Sequence, residues 1–220
     1  MNKIIFDMDG TLIDSMGQWI SLIADYMESL KIKAEPQFMD DLKPKTLNES
    51  IVAIHERYNI NRSLEEGVDF MHGLMRKAYL HDFDLKPGVR KGLERLKSMG
   101  MDMMVATATP DDLAHVALEA QGIDHYFQHV QTCKNSGFNK SDPRYWEMAM
   151  DKIGGKKENV AIFEDALYCV ETVRSMDLYT ICIEDMTAIS DEKRLRQLSN
   201  QYVKRYDDID YSVFNPSSGV

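Results

Sequence analysis

IIFDMDGTLI, residues 4–13, is the stretch on which the fold turns. Three apolar residues read as a buried strand and run straight into Asp7 and Asp9, followed by Gly10 and Thr11. Burying one unpaired carboxylate in an apolar setting is costly, and burying two is worse. Either a cation sits beside them or the strand end opens onto a site.

The chain changes character on either side of this strand. Residues 15–31 carry Trp19, Ile20, Ile23, Met27 and Leu30 at helical spacing. TLNE at 46–49 and SLEE at 63–66 fit capping boxes, each followed by apolar residues on one helical face. Residues 15–81 therefore read as all-helical. After the breaker Leu85-Lys86-Pro87-Gly88, helices and strands alternate with short loops. DMMVAT, HVQTC, NVAIFED and LYTICI read as strands. The helices between them include one after Thr109, taken as its N-cap, and one opened by Asp142-Pro143.

Alternation of this kind predicts a parallel sheet covered on both faces. The fold expected is α/β: a Rossmann-like doubly wound parallel sheet over residues 1–14 and 86–220, with an inserted all-helical domain over 15–85. The crossings near 14–17 and 81–87 are candidate hinges. In such sheets ligands bind beyond the carboxyl ends of the strands. Three strands end there in polar residues: Asp7 and Asp9, Thr107, and Glu164 with Asp165. Four clustered carboxylates repel without a cation. An all-oxygen donor set favours a hard ion such as Mg²⁺.

These residues resemble the motifs of the haloacid dehalogenase superfamily, in its phosphatase and beta-phosphoglucomutase-like branch. FDMDGTLIDS is similar to the first motif, VATAT to the second, Lys140 in NKSDPRYW to the third, and IFEDA to the fourth in its Glu-Asp form. The resemblance covers residues 1 to about 185, in matching order. It implies a Mg²⁺-dependent phosphomonoester hydrolase acting on a small phosphorylated metabolite through an aspartyl-phosphate, with residues 15–85 as a helical cap.

Carried over onto this sequence, the resemblance makes Asp7 the nucleophile and Asp9 the general acid and base. Thr107 and the Ala108 N–H would hold phosphate oxygens, with Gly10 and Thr11 at the same loop. Lys140 would supply a fixed positive charge. Asp7, the Asp9 carbonyl, Glu164 and Asp165 would hold the metal. An acid at Asp9 favours a phosphatase or mutase over a dehalogenase or phosphonatase. Sugar phosphomutases usually present a histidine and an arginine on the cap where this chain has Trp19 and Leu47. A phosphomutase is therefore the alternative reading, and a catalytically silent phospholigand-binding member a third. Trp19 reads as core or as substrate platform, and Lys43 and Lys45 could take an anionic tail.

The remaining features set bounds. The chain has 220 residues and a net charge of −10, which speaks against a broad nucleic-acid surface. Its three cysteines show no metal or disulfide spacing, so a reducing cytoplasm is the expectation. No apolar run approaches the ~20 residues of a membrane span, and the acidic start is unlike a signal peptide. A monomer is expected. All six histidines read as surface or boundary residues, YDDIDY near the carboxyl end as a solvated tail, and NPSSGV as frayed.

Overall fold

The computed structural model describes residues 1–33, 35–42 and 45–214. Six strands form one parallel sheet in the order β3-β2-β1-β4-β5-β6. They are β1 (Lys3–Phe6), β2 (Asp102–Thr107), β3 (Val130–Thr132), β4 (Val160–Glu164), β5 (Tyr179–Ile183) and β6 (Gln201–Val203). β1 is central. Among the described residues four helices lie between β1 and the breaker at 85–88: α1 (Met16–Ser29), α2 (Pro36–Leu42), α3 (Leu47–Tyr58) and α4 (Leu64–His81). Next come α5 (Val89–Ser98), α6 (Asp111–Ala120), α7 (Cys133–Ser136), α8 (Pro143–Lys152), α9 (Leu167–Ser175) and α10 (Glu192–Leu198).

Alternation along β1 builds the two sides of the core. Ile4 and Phe6 face one apolar layer with Leu93 and Leu96 of α5 and Leu113 and Ala117 of α6. Ile5 faces the other, with Tyr145 and Trp146 of α8 and Cys169 and Val173 of α9. Both faces are covered, so the strands are continuously apolar and all three β1 residues are fully buried. Cys133, Cys169 and Cys182 are buried free thiols. Among the described residues no helix is long and apolar enough to cross a membrane.

The inserted helices hold a third apolar cluster, including Tyr26, Phe38, Leu47, Ile51, Ile54 and Met71. Both expected capping boxes form, at Thr46 with Glu49 and at Ser63 with Glu66. α4 spans two clusters. Met71 packs among the inserted helices, while Met75 and Tyr79 pack into the sheet-facing layer.

Four expectations change. The sheet has a sixth strand, β6, whose three residues are too short to show a period. YDDIDY is no solvated tail: Tyr206, Ile209 and Tyr211 are buried while Asp207, Asp208 and Asp210 stay exposed. Tyr206 and Phe214 both stack on Phe163 of β4. Gly92 makes room for this, since a side chain there would strike the Tyr206 ring and the Tyr211 hydroxyl. His55 is also buried, hydrogen-bonded to the Tyr26 hydroxyl at 2.6 Å. Finally, α6 takes Pro110, not Thr109, as its N-cap. NPSSGV and Lys43 lie outside the described residues, as does the side chain of Ile20.

The two chain crossings run side by side. The Asp14 N–H donates to the Asp84 carbonyl at 2.8 Å, and the Lys86 N–H to the Leu12 carbonyl at 2.9 Å. Ile13 and Leu85 form an isolated antiparallel bridge between them. The buried Lys86 ammonium is 2.8 Å from Asp185 and 3.6 Å from Asp14. Asp185 also accepts from the N–H and hydroxyl of Thr187. Removing one partner of a buried ion pair leaves the other charge uncompensated. Lys86→Met is expected to lower the urea-unfolding free energy by about 3 kcal/mol, with part of the loss recovered in Lys86→Met/Asp185→Leu. An unchanged midpoint in the single variant would show that the pair does not anchor the crossing.

Candidate active site

β1, β2 and β4 end at the same edge of the sheet, and their polar termini meet there. Asp7 follows β1, with its N–H donating to the Phe163 carbonyl of β4 at 2.9 Å. Thr107 closes β2, and Glu164 closes β4. Asp7, Thr107, Lys140, Glu164 and Asp165 are all buried.

Lys140 reaches this edge from the loop before α8. Its carbonyl accepts from the Trp146 indole N–H at 2.8 Å, and Asp142 caps α8 just beyond it. Its ammonium donates to Asp7 Oδ1 at 2.6 Å and to Glu164 Oε1. Glu164 Oε2 accepts from the N–H groups of Asp165 and Ala166 at 2.8 and 2.9 Å. Both Glu164 oxygens are thus engaged within the protein. Asp7 Oδ2, by contrast, is buried with no hydrogen-bond partner among the described residues.

Asp7, Glu164 and Asp165 each bring an oxygen within 4.8 Å of the others, and the Lys140 ammonium is bonded to the first two. Burial pushes the Asp7 carboxyl up to about 7, against the opposing pull of Lys140. Asp165 is driven well above the usual carboxylate range by burial, then by the charges of Glu164 and Asp7. Burial alone would lower Lys140, but Asp7 and Glu164 hold it well above its ordinary value.

Gly10 and Thr11 shape the floor under Asp165. Gly10 has φ +86°, a conformation that side chains disfavour, and a Cβ there would fall on the Asp165 carboxylate. Thr11 is fully buried. Its hydroxyl lies 3.4 Å from Asp165 Oδ1 and its carbonyl accepts from Tyr206, so it supports Asp165 from behind.

Asp9 is held by three hydroxyls. Ser15 and Tyr79 donate to Oδ1 at 2.6 and 2.8 Å, and Thr109 to Oδ2 at 2.7 Å. Sequence reasoning missed all three. Ser15 precedes α1 and Thr109 precedes α6, so both look like caps. Tyr79 lies on an amphipathic helix and looks like core. Neither serine nor threonine caps its helix by side chain, because the hydroxyl goes to Asp9 instead. The Thr109 N–H in turn donates to the Thr107 hydroxyl at 3.0 Å.

A cavity of about 360 Å³ opens above these residues. Asp7, Asp9, Thr107, Ala108, Lys140 and Asp165 line its floor. α1 and α3 close it from above, and Trp19 and Lys45 line it as well. Trp19 also packs against two apolar clusters, so it serves as core and as wall together. α3 is tied across the opening by Glu49, which accepts from Asn139 beside Lys140 at 3.0 Å.

The buried carboxylate cluster at the strand ends of the doubly wound sheet, with an acid two residues after the first, agrees with the haloacid dehalogenase resemblance of the motifs. The profile of haloacid dehalogenase-like hydrolases matches residues 4–183, and the chain belongs to that family. It is similar to a phosphorylated carbohydrates phosphatase of Thermotoga maritima, 26% identical over 185 residues, covering 82% of this chain and 84% of that protein. In fold it is similar to CbbY from Rhodobacter sphaeroides in complex with phosphate. That match has a TM-score of 0.80 at 15% identity, over 96% of this chain and 97% of the other. A putative beta-phosphoglucomutase from Thermotoga maritima gives 0.71 at 23% identity, over 94% and 95%.

The raised carboxyl groups make stability depend on pH. Folded Asp7 keeps a proton that its unfolded counterpart has lost, so its contribution is present at low pH and lost as pH rises through about 7. His55, lowered by burial, acts in the opposite sense, with an effect that fades within about one pH unit above its ordinary value of 6.5. In a chelator, the melting midpoint is therefore expected to fall between about pH 6.5 and 8. A midpoint that rises or stays flat across that window would contradict the burial of uncompensated acid described here.

Proposed function

We propose that this protein is a Mg²⁺-dependent phosphomonoesterase that works through an aspartyl-phosphate at Asp7. The observation carrying the reading is Asp7 itself. One of its oxygens is held by Lys140, and the other is buried without a partner on the floor of the cavity. The family membership and the phosphatase relative support hydrolysis of a phosphoester.

The donor set fits a hard divalent cation: three carboxylates lie together, one ammonium is bonded to two of them, and among the described residues one Asp7 oxygen has no partner. Asp7, Asp165 and the Asp9 carbonyl would hold Mg²⁺, with Glu164 adjoining but more committed to Lys140. When bound, the ion neutralises charge on the phosphoryl oxygens.

The chain's own groups do the rest. An Asp7 oxygen attacks phosphorus, the bond to the ester oxygen breaks, and the departing oxygen takes a proton from Asp9. Asp9, now a carboxylate, takes a proton from water. That water's oxygen attacks phosphorus, the bond to Asp7 breaks, and inorganic phosphate leaves. Thr107 and the Ala108 N–H bind phosphoryl oxygens, and Lys140 keeps positive charge beside Asp7 throughout.

Residues 15–85 act as the cap, closing over the cavity for the first step and admitting water for the second. Two of the hydroxyls on Asp9 come from this segment, Ser15 at its start and Tyr79 near its end. Cap position is thereby coupled to the orientation of the acid. The mutase reading gains nothing from the cavity, where apolar Leu47 lines the wall.

Phosphate release from small phosphoesters is expected to require Mg²⁺ and to fall by at least about a thousandfold in Asp7→Asn. Undiminished release by Asp7→Asn, or full release in a chelator, would contradict the mechanism.

A further inference from the structure

Beyond its reacting floor, the cavity wall is mostly apolar, with Thr46, Ser50, Tyr168 and Thr187 as its hydroxyl-bearing residues. Met16, Trp19 and Ile23 recur along one face of α1, Met39 and Leu42 come from α2, and Leu47 from the start of α3. On the sheet side the wall includes Ala166, Leu167 and Ala188. Among the described lining residues there is no arginine, histidine, asparagine or glutamine. Lys140 is committed to Asp7 and Glu164, which leaves Lys45 as the other cation, with the acids Glu171 and Asp191 also on the lining.

Two substrate classes fit this wall poorly. A sugar or polyol phosphate carries a hydroxyl on nearly every carbon. Each hydroxyl buried without a partner costs free energy, and the wall offers few: the Thr46 and Thr187 hydroxyls already donate to Glu49 and Asp185, and Ser50 and Tyr168 share the wall with Trp19, Ile23, Leu42 and Leu47. A substrate with a second anionic group, such as a phosphorylated carboxylic acid, has Lys45 to meet it but also Glu171 and Asp191 to repel it among the described lining residues.

We infer that this site takes phosphomonoesters of alcohols with an apolar body, aliphatic or aromatic, whose far end is uncharged or cationic. The inference rests on the phosphomonoesterase reading above and adds the class of leaving group. Binding energy then comes from burying the alcohol's carbon surface against α1, α2 and α3. A volume of about 360 Å³ restricts the substrate to a small molecule.

The test is a series of straight-chain alkyl monophosphates from ethyl to hexyl, run with Mg²⁺. Their leaving alcohols are chemically alike, so reactivity is held constant while apolar surface grows. kcat/KM is expected to rise about fourfold per methylene until the cavity is filled. Glucose 6-phosphate and 2-phosphoglycolate should lie at least about tenfold below hexyl phosphate. Leu47→Asn should flatten the dependence on chain length. A flat series, or either polar substrate surpassing hexyl phosphate, overturns the inference and leaves the hydrolase reading standing.

p-Nitrophenyl phosphate separates the two readings. If none of these esters, p-nitrophenyl phosphate, alkyl or polar, is hydrolysed, the hydrolase reading fails. Calorimetric binding of alkylphosphonates to the same protein with Mg²⁺ still decides the apolar site. Affinity that climbs from methyl- to hexylphosphonate supports it, and equal or absent binding overturns it.

Discussion

Three carboxylates buried around one lysine are the constraint from which the rest of this molecule follows. Asp7, Glu164 and Asp165 sit where β1 and β4 end, and Lys140 bridges the first two. Such a cluster is unfavourable unless more positive charge arrives, and burial has already pushed Asp7 up to about 7. The sheet tolerates this because its apolar layers lie immediately beneath. Phe6 and Phe163 pack ring against ring one residue before the acids begin. The instability is local, and it is placed where a cation and a phosphoryl group can relieve it.

The surrounding residues divide between holding this cluster and shaping what reaches it. Glu164 spends its oxygens on Lys140 and two backbone N–H groups, fixing the lysine beside Asp7. Thr11 and Gly10 leave Asp165 its space. Ser15, Tyr79 and Thr109 fix Asp9, and two of these three belong to the inserted helical segment. The electrostatic floor and the apolar roof thus come from different parts of the chain. A fold can keep its chemistry while its roof is rewritten, so the lining here, not the family, speaks to the substrate.

Much of this was legible in the sequence because it is local. β1, β2 and β4 are apolar runs ending abruptly in polar residues, and the capping boxes at Thr46 and Ser63 are contained in four residues each. What was not legible depends on distant partners. Tyr206 looks like part of an acidic tail until Phe163 is seen beneath it. His55 has no ligand-like spacing, and its partner Tyr26 lies on another helix. Thr109 has the position of a helix cap, yet its hydroxyl is drawn to the stronger acceptor, the Asp9 carboxylate. Lys86 sits in a turn and gives no sign of the buried Asp185 that it neutralises.

The central claim is that a divalent cation completes this acidic cluster, and its most direct test is a calorimetric Mg²⁺ titration at about pH 6.5 in two buffers of different ionisation enthalpy. Asp7 and Asp165 both hold protons more tightly than ordinary carboxyls, so an ion that binds them must displace protons. Binding of one ion with measurable proton release to the buffer is the predicted result. Absence of binding, or binding with the same heat in both buffers, would contradict the account.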